Sequence, residues 1–154
     1  MINRILPTLL IVYTLLTLSA CGSRNTKGSA DIQKTEATAG SEVITAPESG
    51  AISIPIKDGY GKITVSKKER QNVYLSFDSG DGKQLYGKIT SQDTLANVRF
   101  TQIVMPDGTM DGPFGNEIRY ELPQKGKYEI NIGENMMAGD PWSGVFTVEI
   151  TLKK

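Results

Sequence analysis

The chain has 154 residues, with 17 Lys and Arg balanced by 17 Asp and Glu, no histidine and one cysteine. Because histidine is absent, Cys/His zinc sites, Ser-His-Asp triads and histidine general bases are excluded. The balanced charge and the lack of a basic run give no indication of nucleic-acid binding. We therefore expect a protein that is not an enzyme, has no cofactor and binds no nucleic acid.

Residues 1–20 have the pattern of a bacterial lipoprotein signal peptide. Arg4 supplies a positive charge, and an apolar run without charged residues extends over residues 5–18. Small residues then precede Cys21, as at a signal cleavage site. An ordinary signal peptide or an uncleaved anchor helix is the alternative. The pattern favours acylation of Cys21, which would hold the protein on a membrane.

Acylation of Cys21 predicts a location in the cell envelope, with the membrane as a partner. Gly22, rather than an acidic residue, follows the cysteine, which favours the outer membrane under the common inner-membrane retention rule. Residues 21–50 are rich in Ser, Thr, Gly, Ala and Lys. They predict a flexible tether, because such a segment buries little apolar surface. Residues 51–154 are then expected to form one domain around a single core.

The first half of this domain shows the period-two alternation of half-buried strands. The inward positions are Ile52, Ile54, Ile56, Ile63, Val65, Val73, Leu75 and Phe77. Pro55 lacks an amide hydrogen, so the first of these strands is expected to lie at a sheet edge or to end there. The charged run Lys67–Arg70 is interpreted as the solvated end of a hairpin.

The second half continues the alternation, most clearly in residues 118–122, 128–132 and 145–152. A break in phase between Phe100 and Ile103 predicts a β-bulge, or a strand that passes from one sheet to another. No stretch after residue 50 keeps a helical period. About eight short strands separated by Gly, Pro and Asp predict an all-β fold, a single antiparallel β-sandwich of jelly-roll-like form.

Tyr128 leads a strand that has Ile130 and Ile132 on the same face. We expect its ring to be mostly buried and its hydroxyl to bond a backbone group near the preceding loop. The residues before it, Lys125-Gly126-Lys127, form either a plain turn or a basic finger at a loop tip, and turn chemistry favours the plain turn.

Two interpretations are open for the segment that contains Asp107, Thr109 and Asp111. Oxygen side chains at alternate positions are typical of the start of a calcium loop. The closing carboxylate is missing, however, because Ile118 takes the twelfth position and Glu117 comes one residue early. A hairpin turn, in which Asp and Gly supply the turn conformations, is favoured over this weak calcium candidate.

The loop between residues 134 and 142 is unusual for its two adjacent methionines and for the single tryptophan of the chain. Its polar and aromatic residues, Glu134, Asn135, Asp140 and Trp142, are candidates for binding a partner, since Trp and Met favour interfaces. Alternatively, Trp142 and one methionine cap the open end of the sandwich. The second interpretation is favoured because large aromatic residues are mostly buried.

A family resemblance is found in the same region. Residues 122–132, followed by a loop and the terminal strand 146–153, resemble the C-terminal half of bacterial inhibitors of g-type lysozyme. Those small secreted β-sandwich proteins are related in shape to pre-peptidase C-terminal domains, and Pro-Asp-Gly at 106–108 and Gly-x-Tyr at 126–128 are similar across that wider group. The resemblance covers residues 51–153 loosely and residues 105–153 well.

The resemblance implies that loops at one edge enter the substrate cleft of a lysozyme. A Ser-Gly-x-Tyr-like turn of such inhibitors corresponds here to Lys125, Gly126, Lys127 and Tyr128, with a lysine in place of the serine. The family's basic loop before the last strand corresponds to residues 134–143, which contain two acidic residues and no Lys or Arg.

The leading hypothesis is therefore a lipid-anchored envelope protein that inhibits a g-type lysozyme. A rival hypothesis is a carbohydrate- or cell-wall-binding β-sandwich that stacks sugars on Trp142 and Tyr128. A third is an envelope adhesion module. An inhibitor is expected to project the 125–128 turn and the 134–142 loop from the same end of the sandwich.

Overall fold

The computed structural model describes residues 42–154, which form a two-sheet β-sandwich without helices. The strands are β1 (Val43–Thr45), β2 (Ala51–Ser53), β3 (Tyr60–Lys67), β4 (Val73–Asp78), β5 (Gln84–Thr90), β6 (Val98–Val104), β7 (Met110–Asp111), β8 (Glu117–Glu121), β9 (Lys127–Glu134) and β10 (Gly144–Lys153). The predicted signal peptide and Cys21 lie outside the described residues. Within residues 42–154, no helix of a length and apolarity suited to crossing a membrane is present.

Each sheet contains five strands. The first sheet has the order β1-β3-β10-β5-β8, and the second has the order β2-β4-β9-β6-β7. The predicted all-β sandwich is confirmed, but it has ten strands rather than eight and is not wholly antiparallel. At one edge of each sheet a three-residue strand pairs in parallel, β1 with β3 and β2 with β4. Strands this short carry too little periodicity for their pairing direction to be predicted.

The core lies between the sheets and is filled by the inward residues of the alternating strands. The largest fully buried side chains are Tyr128, Phe77, Phe100, Phe146, Leu75, Leu85, Ile103, Ile118, Ile130, Ile132, Ile150 and Val65. The alternation that predicted the inward faces of β4 and β9 is therefore confirmed. Burial of these apolar side chains is the main source of stability for a domain without disulfides.

Two irregularities predicted from the sequence are confirmed. The pairing of β6 with β9 shifts register between Phe100 and Gln102, so the break in phase is a β-bulge within one sheet. The strand before Pro55 ends at Ser53, and it lies at the edge of its sheet.

The predicted tether, residues 21–50, includes residues that belong to the folded domain. Val43–Thr45 pairs with β3, and Ala46, which is 6% exposed, donates its N–H to Ser66 O at 2.8 Å. Residues 43–46 are therefore part of the sandwich. The apolar side chains of Val43 and Ile44 remain about half exposed, which explains why their pattern does not indicate a core strand.

The sandwich has two ends, which differ in their loops. The Lys125 end carries the turn before β9 and the Ser79–Gly82 turn between β4 and β5. The Trp142 end carries the 134–143 loop after β9, the connection between β3 and β4, and the connection between β5 and β6. Because β9 is eight residues long, the two ends of this strand lie about 25 Å apart.

Candidate functional site

The turn at the Lys125 end has a fixed backbone. Gly126 has φ of 137°, a conformation that favours glycine, and a Cβ there would lie 3.2 Å from the ring of Pro106. Gly126 N–H donates to Ser79 Oγ at 3.0 Å, and Ser79 N–H donates to Gly126 O at 3.0 Å. Ser79 is itself buried. The sequence analysis missed this role for Ser79, because it depends on a contact between two distant turns.

Tyr128 anchors the same turn from inside the core. Its ring is 0% exposed and stacks on Phe77, with ring centroids 5.7 Å apart. Its hydroxyl donates to Gln124 O at 2.8 Å and accepts the Gln124 N–H at 3.2 Å. The prediction of a buried ring bonded to the backbone near the loop is confirmed. Tyr128 is therefore part of the scaffold and is not available as a contact residue.

The exposed part of this turn is cationic. Lys125 Nζ lies 2.7 Å from Asp81 Oδ1, and both side chains are about two-thirds exposed. The hydrogen bond from Lys125, together with its positive charge, lowers the pKa of Asp81 from its ordinary value. Lys127 is also exposed, and among residues 42–154 it has no ion-pair partner. The turn thus presents two ammonium groups on a rigid support.

The hydrogen bonds of the nearby hairpin support the turn interpretation, which was favoured over the calcium interpretation. Asp107 accepts hydrogen bonds from Thr109 N–H at 2.9 Å, Thr109 Oγ1 at 2.6 Å and Gln124 Nε2 at 2.6 Å. These bonds, led by that of the Thr109 hydroxyl, lower the pKa of Asp107 to about 2. Asp111 instead accepts the Gly112 N–H, and Glu117 pairs with Lys88 at 2.9 Å. Within residues 42–154, no three His, Cys, Asp or Glu side chains are gathered as metal ligands.

Trp142 closes the opposite end of the sandwich. It is 6% exposed, and its Nε1–H donates to Asp93 Oδ2 at 2.8 Å. A side chain at Gly144 would overlap the indole ring, which shows how closely the chain wraps it. The capping interpretation is confirmed for Trp142. The methionines do not share this role, because Met136 and Met137 are 51% and 97% exposed.

Behind the indole lies a buried ion pair between Lys67 and Glu134, whose side chains are 0% and 3% exposed. Lys67 Nζ donates to Glu134 Oε1, to Lys68 O at 2.7 Å and to Trp142 O at 2.7 Å. The N–H of Arg70, a residue with φ of 57°, donates to the same Oε1 at 2.7 Å. Lys67 is therefore not part of a solvated hairpin end. It is the last residue of β3, and the next strand, β4, belongs to the other sheet.

The pKa of Glu134 reflects two opposing causes. Burial raises the pKa of this carboxyl, while the hydrogen bond from Lys67, the N–H of Arg70, the charge of Lys67 and, more weakly, the N–H of Trp142 lower it. The net effect is a lowered pKa, so the carboxylate is charged at neutral pH. Glu134 is therefore a structural anion, and its charge is not available to a partner at the surface.

The remaining residues predicted in the 134–142 loop lie nearer the surface. Asp140 is exposed, and its carbonyl oxygen accepts a hydrogen bond from Asn97 Nδ2 at 2.8 Å. Asn135 is half-buried and donates its N–H to Asn97 O at 2.9 Å. Asn97 thereby ties this loop to the connection between β5 and β6.

The predicted site residues are not brought together. The 125–128 turn precedes β9 and the 134–142 loop follows it, so they project from opposite ends of the sandwich. The expectation that both would project from the same end is wrong. The stacking hypothesis for Trp142 and Tyr128 is also wrong, because both rings are buried and lie at different ends.

Comparison with solved structures identifies similar folds. A PliG from Aeromonas hydrophila, a periplasmic lysozyme inhibitor of g-type lysozyme, is similar with a TM-score of 0.51 and 14% identity, over 73% of this chain and 98% of that chain. The PliG of Salmonella Typhimurium is similar with a TM-score of 0.46 and 14% identity, over 68% of this chain and 100% of that chain. A PliG mutant from Escherichia coli has a TM-score of 0.45 and 13% identity, over 72% and 98% of the two chains.

At such low identity the likeness concerns the fold. The Aeromonas protein supports the same two-sheet sandwich for this chain, over nearly the full length of that protein. No protein-family model and no curated protein matches the sequence.

Proposed function

We propose that this protein is a lipid-anchored inhibitor of a g-type lysozyme in the cell envelope, and that the Lys125 end is its inhibitory edge. One observation carries the proposal: two exposed lysines lie on a turn whose backbone is fixed by Gly126, Ser79 and Tyr128. The shared fold of a periplasmic inhibitor of g-type lysozyme supports it. The absence of histidine and of a thiol in the folded domain is compatible with a binding role.

The chemistry of the turn suits a cleft lined by carboxylates, as muramidase clefts are. An ammonium group forms charge-assisted hydrogen bonds with a carboxylate, and these are stronger than neutral ones. The exposed pair of Lys125 with Asp81 is no obstacle, because exposed ion pairs are weak and exchange partners readily. A backbone that is already ordered loses little entropy when it binds, so the rigid turn favours affinity.

The two lysines provide the direct test. Lys125→Ala and Lys127→Ala are each expected to weaken inhibition of a g-type lysozyme by about tenfold, the size of one lost charge-assisted hydrogen bond. The melting temperature should stay the same, because both side chains are exposed. Inhibition is measured as residual muramidase activity against increasing concentrations of the full chain.

Lys88 offers a matched control. It is an exposed lysine in a 2.9 Å ion pair with Glu117, and it lies on the first sheet, away from the Lys125 end. Lys88→Ala should leave inhibition unchanged. Equal loss of inhibition in all three variants would indicate a nonspecific charge effect and would contradict the proposed edge.

The membrane anchor is a separate part of the proposal. We infer that residues 1–20 are removed, that Cys21 is acylated and that the segment after it links the lipid to the sandwich, with the outer membrane as the favoured location. Cys21→Ser is expected to move the protein from the membrane fraction to the soluble fraction, as measured by immunoblotting of fractionated cells. Retention of this variant in the membrane fraction would contradict a lipid anchor.

A further inference from the structure

The two most exposed large apolar side chains of residues 42–154 lie at the same end of the sandwich. Met137 is 97% exposed and Leu95 is 79% exposed, and Met136, beside Met137, is 51% exposed. All three belong to loops of the Trp142 end. Single apolar residues are common on protein surfaces, whereas a group of them on one side marks a surface that contacts a partner.

Each of these side chains is in the middle of a β-turn. Leu95 lies in the turn that is closed by a bond of 3.2 Å from the N–H of Ala96 to Asp93 O. The two methionines occupy a second turn, closed by a bond of 2.8 Å from the N–H of Ala138 to Asn135 O. Turn conformations favour Gly, Pro, Asn, Asp and Ser at such positions. The requirements of the turns therefore do not explain large apolar residues there.

Asn97 joins the two turns. Its side-chain Nδ2 donates to Asp140 O at 2.8 Å, and its carbonyl oxygen accepts the N–H of Asn135 at 2.9 Å. A Cβ at Gly139 would lie 3.6 Å from Asn97 Cβ, so the two loops are in contact. The exposed apolar side chains thus lie on neighbouring turns of one surface, which we call the apolar tip (Leu95, Met136 and Met137).

The loops that carry the apolar tip contain no cation. Residues 91–97 and 134–143 include no Lys or Arg. Of their carboxylates, Glu134 is buried in its ion pair, and Asp93 accepts the N–H of Leu95 at 2.9 Å and the indole N–H of Trp142 at 2.8 Å. Asp140 is exposed. A partner of this surface must therefore be apolar, and its attraction cannot depend on anionic groups.

The route of the chain brings this surface within reach of a membrane. The chain enters the sandwich at Val43, opposite Thr64, which is three residues before the end of β3 at Lys67. Val43 is therefore about 10 Å from the Trp142 end. As a linker, the 21 residues between Cys21 and Val43 would span about 25 Å. Both ends of the sandwich are within this reach, so their surface chemistry decides which end faces the bilayer.

We infer that the apolar tip inserts among the acyl chains of the membrane that holds the lipid on Cys21. This inference rests on the membrane anchor of the proposed function. Three apolar side chains alone bind a bilayer weakly, but a tether raises their effective concentration there to the order of millimolar. The Lys125 end, at the other end of β9, then points away from the bilayer and stays accessible to a lysozyme in solution.

The test is electron paramagnetic resonance of the acylated full chain, reconstituted into phosphatidylcholine vesicles. Thr94→Cys supplies a single free thiol for a nitroxide, because Thr94 is exposed beside Leu95 and the chain has no cysteine besides Cys21. On reconstitution this nitroxide should gain collisions with dissolved oxygen, which concentrates among acyl chains, and lose collisions with a water-soluble nickel chelate. A nitroxide on Lys127→Cys, at the Lys125 end, should show neither change.

Serine substitutions in the Thr94→Cys chain test the side chains themselves. Leu95→Ser combined with Met137→Ser should abolish both changes in collision rate, and circular dichroism should show that the domain is folded, because both side chains are exposed. Met110→Ser is the matched control, since Met110 is a 61% exposed methionine on β7, outside the apolar tip. It should leave both changes intact. Addition of an anionic lipid should not strengthen them.

Three results would overturn the membrane contact. The first is a chain that floats with the vesicles but gives equal collision rates at positions 94 and 127. The second is contact that persists in the double serine variant. The third is broadening between nitroxides that disappears on dilution with unlabelled chain, which would assign the apolar tip to a second copy. A chain that does not float with the vesicles would contradict the anchor as well. None of these results depends on lysozyme inhibition.

Discussion

Replacement of Tyr128 by alanine is expected to lower the free energy of unfolding by about 3–5 kcal/mol. The ring is fully buried between the sheets and stacks on Phe77, so its removal leaves a large cavity in the core. The change also removes the hydroxyl that bonds both backbone groups of Gln124. Chemical denaturation followed by circular dichroism measures the loss.

Tyr128→Phe separates the hydroxyl from the ring. This variant keeps the packing and loses only the two hydrogen bonds to Gln124, so a decrease of about 1–2 kcal/mol is expected. Because Tyr128 is placed in the scaffold, any loss of inhibition should follow from loss of folded protein. An unchanged melting temperature in Tyr128→Ala, together with lost inhibition, would mean that the ring is a contact residue.

Replacement of Lys67 by methionine is expected to lower the free energy of unfolding by about 3–5 kcal/mol, because it leaves the buried carboxylate of Glu134 without its cation. The change also leaves the carbonyl oxygens of Lys68 and Trp142 without their donor. Lys68→Met is the matched control, since that lysine is exposed and pairs with Glu48 at the surface. Lys68→Met should have little effect on the free energy of unfolding.

A double variant, Lys67→Met with Glu134→Leu, isolates the charge. It removes both charged groups, so the free energy of unfolding should decrease less than in Lys67→Met alone. An equal or greater loss in the double variant would contradict the assignment of Glu134 as a buried anion balanced by Lys67.

The ion pair between Lys67 and Glu134 is also expected to make the free energy of unfolding depend on pH. The pKa of Glu134 is lower in the folded protein than in the unfolded chain, so the unfolded chain binds the proton more readily in mild acid. The stability that Glu134 contributes is thus complete above its unfolded pKa and is lost as the pH falls through the lower folded pKa. Denaturation at several acidic pH values should show a larger loss in the unchanged protein than in the double variant, in which the other carboxyl groups with lowered pKa values, such as Asp107, still contribute to the loss.

The core was predictable because its signal is local. Alternation over a few residues places Val73, Leu75 and Phe77 on one face whatever the partner strand is, and the structure buries all of them. The bulge near Phe100 was predictable for the same reason, since one extra residue shifts the phase within the strand itself. The parallel pairing of the short edge strands depends on distant partners, and no local pattern encodes it.

The site was less predictable than the core. Lys67 belongs to a charged run, and its burial depends on Glu134, which is 67 positions further along the chain. The 125–128 turn and the 134–142 loop are close in sequence, but the extended strand between them carries them to opposite ends.

The central claim is inhibition of a g-type lysozyme through the Lys125 end. The most direct measurement is the activity of a g-type lysozyme on cell walls as the full chain is titrated to micromolar concentration. The account predicts that activity falls in a saturable way, and that Lys125→Ala needs about ten times more protein for the same effect. Full lysozyme activity at micromolar protein, across a panel of g-type enzymes, would contradict it.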